Sequence, residues 1–275
     1  MVTLIATVAR AAAPVAPPPQ LAQLGLPDAA EARRILEQFR HAGVAGSYFF
    51  QFELHQLPRR GEEQVFRGRL WGAQNEQGAI TRVVLTDAAG REHRLLVQNG
   101  TQAAVWRCTG GPVVQLGVTA LFEPVVPGVL LTAFDLQMPF LFWPDAAVVS
   151  IKRILGRPAN EFIFRPPPAF AAQHPELTAV RSYFDTQANA PTQTELIGRD
   201  GRVTKLFSLI ELKRIGGQTI PKSLDWRDEI SRNKTRLLVT GVALELDLPP
   251  AFFAPAALAE DVRPPAGDRI VRIAP

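Results

Sequence analysis

The sequence predicts a mainly β chain with a little α, built on one strongly curved antiparallel sheet. Hydrophobicity runs with period 2 through two successive groups of short segments, and turn signals separate those segments at regular intervals. The βαβ alternation of a parallel sheet is missing. A sheet of roughly ten strands must curl or split, and a curled sheet with an incomplete wall leaves an apolar concavity.

Composition sets the outer limits. With 275 residues, 47% hydrophobic and 20% charged, the chain is globular and long enough for a sizeable core. Thirty Lys and Arg against 26 Asp and Glu give a net charge of only +4, so no strong single-sign field arises and nucleic acid is not an expected partner. The single cysteine, Cys108, excludes an internal disulfide and a Cys-rich metal site; its strand setting marks it as a buried small hydrophobe. The histidines are scattered, with no H-E-x-x-H, no G-x-S-x-G, no phosphate-cradling loop and no dinucleotide fingerprint. No catalytic residue, metal or cofactor is therefore expected, and the chain reads as a non-enzyme.

Residues 1–27 open with VTLIATVARAAA, a short apolar run ending in small residues, and continue with PVAPPPQ. That is the pattern of a residual signal peptide lacking its charged start, followed by a Pro-rich linker. No cysteine follows the run, so the expected mature form is a soluble periplasmic protein without a lipid anchor. A helix is expected over Asp28–Arg40, where Ala32, Ile35, Leu36 and Phe39 recur at helical spacing and Arg33, Arg34, Glu37 and Arg40 fill the other side. Asp28 and Glu31 resemble a capping box.

From Ser47 the period changes to 2. Tyr48, Phe50, Phe52 and Leu54 share one face of a strand, and Phe49, Gln51, Glu53 and His55 the other. Strands at 64–71, 79–86, 91–98 and 101–108 follow, divided by turns at Pro58–Gly61, Asn75–Gly78, Asp87–Gly90 and Asn99-Gly100. This is an antiparallel meander. Beyond it lies the longest apolar region, which Glu123, Pro124, Pro127, Asp135 and Pro139 interrupt too often for a bilayer-spanning helix. Pro139 and Pro144 bracket the wholly apolar Phe140, Leu141, Phe142 and Trp143, giving the chain defined bends on both sides. The stretch is either the seam of an ordinary core or a mobile lid over a cavity. On the second reading, the ligand-binding surface is Tyr48, Phe50, Phe52 and Leu54 on the wall, those four lid residues, and Phe162 and Phe164 beyond.

A hairpin is expected at 148–155 and 160–164 around Gly156-Arg157-Pro158, then an extended linker at 165–168. Strands at 178–185, 192–199, 203–212, 219–228 and 234–246 make a second meander with an Asp200-Gly201 turn. Arg232, Lys234 and Arg236 alternate and are expected on one strand face, either to meet anionic headgroups or a partner, or as a basic edge that discourages aggregation. A polar, Pro-rich tail over 259–275 is expected to fray.

The run from Ile154 onward resembles the outer-membrane lipoprotein-sorting (LolA-like) family. The matching features are an aspartate ending one strand, a D-G turn, a strand ending in I-P and a basic K-T-R entering the last strand. Asp185, Asp200, Gly201, Ile220, Pro221, Lys234, Thr235 and Arg236 stand in those places. The resemblance implies an open half-barrel over residues 28–258 with a helical lid, acting as a monomeric periplasmic carrier of acylated lipoproteins or lipids. An inner-membrane transporter and an outer-membrane acceptor would be its partners. Burying an acyl chain of about 15 methylenes releases on the order of 12 kcal/mol, so a carrier needs a dry receptor. The alternative is a structural or interaction protein of the cell envelope whose half-barrel is filled by its own side chains.

Overall fold

The computed structural model describes residues 28–41, 43–186 and 190–274, so the leader-like stretch lies outside the described residues. Helix α1 (Ala29–His41) buries Ala32 and Leu36, and Ile35 and Phe39 pack against the same cluster. The capping box does not form: Asp28 Oδ1 accepts from the Ala30 N–H at 2.9 Å, two residues on, and Glu31 turns to Arg34. A guanidinium three residues along the exposed face competes for that carboxylate.

The first meander comprises β1 (Ser47–Leu57), β2 (Gln64–Asn75), β3 (Gly78–Thr86), β4 (Glu92–Gln98), β5 (Ala104–Cys108) and β6 (Val114–Gln115). The second comprises β7 (Asp145–Ile154), β8 (Arg157–Arg165), β9 (Leu177–Asp185), β10 (Pro191–Gly198), β11 (Val203–Ile215), β12 (Gln218–Asp228) and β13 (Lys234–Leu246). The two join through β1 and β13 into one antiparallel sheet, in the order β6-β5-β4-β3-β2-β1-β13-β12-β11-β10-β9-β8-β7. The sheet is curved and unclosed, with β6 and β7 at its two ends. A short β14 (Val271–Arg272) adds to β13 off this path.

Two local expectations shift. The β7–β8 turn is Leu155-Gly156, with φ of 49° and 83°, because a two-residue hairpin turn of this kind needs positive φ at both central positions. Pro158 therefore falls inside β8. The linker at 165–168 is extended only as far as Pro167, and helix α3 (Pro168–Gln173) starts with proline at its first position, where no N–H is needed.

The sheet buries both faces. On the concave side, Phe50, Phe52 and Leu54 of β1 join one large cluster, while Phe49, one residue before them, belongs to a second cluster on the convex side. Two β2 positions opposite the Tyr48–Leu54 row are glycine for a reason. Gly68 pairs with Phe52 and Gly72 with Tyr48; a Cβ on either would lie 2.2 Å from the neighbouring ring, so each aromatic lies across a strand that has no side chain there.

The convex cluster takes Trp71, Ile80, Val84, Leu96 and the free Cys108 from the sheet, and Phe253 and Leu258 from the C-terminal segment. That segment is docked rather than frayed. Ile273 is buried and β14 pairs with β13. Arg82, 1% exposed on β3, donates to the carbonyls of Phe252 at 3.2 Å and Glu260 at 2.6 Å and lies 5.1 Å from the Phe252 ring centroid. A buried guanidinium needs acceptors, and this backbone supplies them.

Candidate functional site

The connection from β6 to β7 crosses the concave face. Its Leu121, Val125, Val126, Val129, Leu131, Phe134, Phe140, Leu141 and Trp143 are all buried in the concave cluster. This cover contains helix α2 (Ala133–Gln137) between 3₁₀ turns at Val118–Phe122 and Pro139–Phe142. Thr132 and Asp135 form a reciprocal capping box: the Asp135 N–H donates to Thr132 Oγ1 at 3.3 Å and the Thr132 N–H to Asp135 Oδ2 at 2.8 Å. Met138 ends α2 in the left-handed region, φ 48° and ψ 54°, directly before Pro139. A non-glycine residue there stores about 1–2 kcal/mol of strain. Burial of Phe134 and Phe140 on either side holds it.

The structure brings the ten apolar residues singled out from sequence into one place. Phe50, Phe52, Leu54, Phe140, Leu141, Trp143, Phe162 and Phe164 are buried members of the concave cluster, and Tyr48 and Phe142 pack against it partly buried. Burial pushes the Tyr48 phenol up from its ordinary pKa, with Thr81 partly opposing. Phe140 of the cover meets Phe164 of β8 edge-on at 5.4 Å, and within the cover Phe134 stacks on Phe122 at 4.5 Å.

A few polar contacts pin the cover. From α1, Arg40 Nε donates to the Leu141 carbonyl at 2.6 Å, and its guanidinium stands 5.4 Å from the Phe142 ring centroid. From β11, Lys205 Nζ donates to the Leu130 carbonyl at 2.6 Å and pairs with the Asp135 carboxylate. From β13, the Thr235 hydroxyl accepts from the Leu130 N–H at 2.8 Å and donates to Gln56 on β1. Gln137 Nε2 donates to the Gln98 carbonyl at 3.2 Å, and His174 lies 3.0 Å from the Val118 carbonyl. Sequence reasoning missed Arg40 and Lys205. Arg40 sits on the polar stripe of its helix and Lys205 in an ordinary strand alternation, so neither carries a local signal.

Beneath the cover a cavity of about 20 Å³ remains, lined by Phe134, Asp135, Met138, Phe140, Thr194, Leu196, Lys205, Phe207 and Trp226. That is the size of a single water, whereas pockets for small ligands run to about 300–1,000 Å³. The bowl is closed and filled in this conformation.

The basic trio is dispersed. Arg232 lies in the turn before β13 at φ 64° and pairs with Glu229, so only Lys234 and Arg236 share a strand face. Both of these pair with Asp225 on β12, Arg236 in bidentate fashion at 2.7 and 2.8 Å. Burial alone would raise the Asp225 pKa, but hydrogen bonding from Arg236 and the charge of Lys234 hold it below the usual carboxylate value. Among the described residues no group of three His, Cys, Asp or Glu is placed to hold a metal, and no helix is long and apolar enough to cross a membrane.

This is an unclosed antiparallel half-barrel, covered by its own mid-chain segment. No family model matches the sequence, and no curated protein matches it. Solved structures match the fold. An outer membrane lipoprotein-sorting protein domain from Vibrio parahaemolyticus superposes with a TM-score of 0.70 at 14% identity, covering 84% of this chain and 99% of that one. A DUF1329 family protein from Desulfovibrio piger gives 0.69 at 10%, covering 83% and 98%. A LolA superfamily protein from Nitrosomonas europaea gives 0.62 at 16%, covering 81% and 97%. The chain has the LolA-like half-barrel fold.

Proposed function

We propose that the protein is a periplasmic carrier that opens the 116–144 cover and receives an acyl chain on the concave face. The carrying observation is how that face is sealed. An apolar bowl is closed not by a second sheet but by an irregular strap, bent at Met138-Pro139 and held by isolated polar pins. Few hydrogen bonds tie the strap down and its backbone is strained, so the main cost of opening is exposure of its apolar row, which an acyl chain on the same face offsets. The rings of Phe140, Leu141, Phe142 and Trp143 would then exchange their contacts with Phe162, Phe164 and the β1 row for contacts with the chain. An acylated lipoprotein or a lipid is the cargo class, with membrane-bound donor and acceptor as partners, and no chemistry is performed.

The second reading, an envelope protein with a permanently self-filled half-barrel, draws on the same 20 Å³ closure. Hydrogen exchange on peptides covering Ala133–Ala147, with and without a fluorescent fatty acid, separates the two. A carrier shows exchange faster than the central strands and protection on adding ligand. Uniformly slow exchange indifferent to ligand would remove the carrier reading. Native mass spectrometry of protein purified without detergent adds a second measure: co-purified lipid for a carrier, a bare mass for a filled barrel.

A further inference from the structure

The floor under α2 is a patch drawn from three adjacent strands. Thr194 and Leu196 of β10 pair with Phe207 and Lys205 of β11, and Phe207 pairs with Trp226 of β12. All five side chains line the small cavity, and two of them carry polar groups in an unusual state. Lys205 is held from above: both hydrogen-bond partners of its ammonium, the Leu130 carbonyl and the Asp135 carboxylate, belong to the cover. Trp226, 3% exposed, carries an indole N–H that is buried without a hydrogen-bond partner.

A cover that opens takes both partners of Lys205 away at once. With an alkyl chain seated where the cover was, the ammonium would lie against Leu196, Phe207 and that chain, an environment in which an unpaired charge is strongly disfavoured. A neutral alkyl ligand leaves that charge unpaired and the Trp226 donor idle. An anionic head answers both. We infer that the cargo carries an anionic head, a carboxylate or phosphate on an acyl chain. Its oxygens replace Leu130 and Asp135 on Lys205 Nζ and accept from Trp226 Nε1. The inference rests on the carrier reading above and adds the chemistry of the head. It also couples binding to opening, since the ligand's anion and Asp135 compete for one cation, and a group that binds only the open form shifts the population toward it.

Three probes with the same sixteen-carbon chain test it: palmitate, monohexadecyl phosphate and hexadecanol, each displacing a fluorescent reporter from the full chain at neutral pH. Either anion should bind at least about tenfold more tightly than the alcohol, the scale of one charge-assisted hydrogen bond. Which anion binds better distinguishes a fatty acid from a phospholipid-like head. Lys205→Met should bring the anions down to the level of the alcohol, and Lys205→Arg should keep a preference. If Lys205→Met does not fold, Trp226→Phe serves in its place and should narrow the preference while leaving the packing of the ring. Equal binding of acid and alcohol to the unmodified protein, or a preference untouched by both variants, overturns the anionic head and leaves the carrier standing. Failure of all three probes to bind overturns the carrier reading and this inference with it.

Discussion

Arg40 Nε donates to the carbonyl oxygen of Leu141 at 2.6 Å across a sequence separation of 101 residues, joining the last turn of α1 to the aromatic tip of the cover. The Arg40 side chain is only 18% exposed and also contacts the Phe142 ring and Glu37. A charged donor on a part-buried carbonyl contributes about 1.5–3 kcal/mol, enough to make this bond a substantial tie between helix and cover.

Arg40→Met keeps much of the aliphatic packing and removes the donor. Amide exchange in peptides spanning 133–147 should accelerate by about one to two decades, with the central strands unchanged. Faster uptake of a fluorescent fatty acid should accompany it. Exchange that rises equally everywhere would mean that Arg40 supports global stability and not the cover.

Gly68→Ala should destabilise the protein by about 1–3 kcal/mol, because the new methyl would lie 2.2 Å from the Phe52 ring in a filled core. The Gly68→Ala/Phe52→Leu double variant should recover part of that loss, giving a coupling energy of about 1 kcal/mol or more in denaturant melts. Strict additivity would show that the ring moves aside freely, and the wall would then be softer than its burial implies.

Asp225 makes stability depend on acid. Its folded pKa is depressed, because hydrogen bonding from Arg236 and the charge of Lys234 outweigh burial, so its contribution is fully present above the unfolded aspartate value of about 3.9. The contribution is lost as pH falls through the lower folded value. At pH 6, Asp225→Asn should cost about 1–2 kcal/mol, a part-exposed pair being worth less than a buried one. Between pH 6 and pH 3 the variant's denaturant midpoint should fall less than that of the unmodified protein. Parallel falls would remove Asp225 from the acid response.

Most of the architecture was legible because it rests on local signals. The period-2 rows and Gly, Asn and Asp turns located the strands, and β13 spans the expected Lys234–Leu246. Tyr48, Phe50, Phe52 and Leu54 were readable as one face because alternation alone decides it. What could not be read depends on long-range pairing. The junction of the meanders through β1 and β13, such as Phe50 opposite Val242, has no local mark. The docked tail was hidden for the same reason: Pro-rich polar sequence reads as fraying, and only the distant Arg82 reveals its acceptors. Lys205 looked like any strand lysine until the cover was laid over it.

The strands at the two ends of the sheet, β6 and β7, are consecutive in the chain, so the segment that shuts the bowl is also a covalent bridge over its open seam. Its contour length, at most about 3.3–3.6 Å per residue, limits how far those two edges can separate. The aperture of the half-barrel therefore depends on how that one strap is packed as well as on sheet curvature. Residues added at the exposed Gly117, between β6 and the first 3₁₀ turn of the cover, should let the mouth gape without any change to the β1 wall.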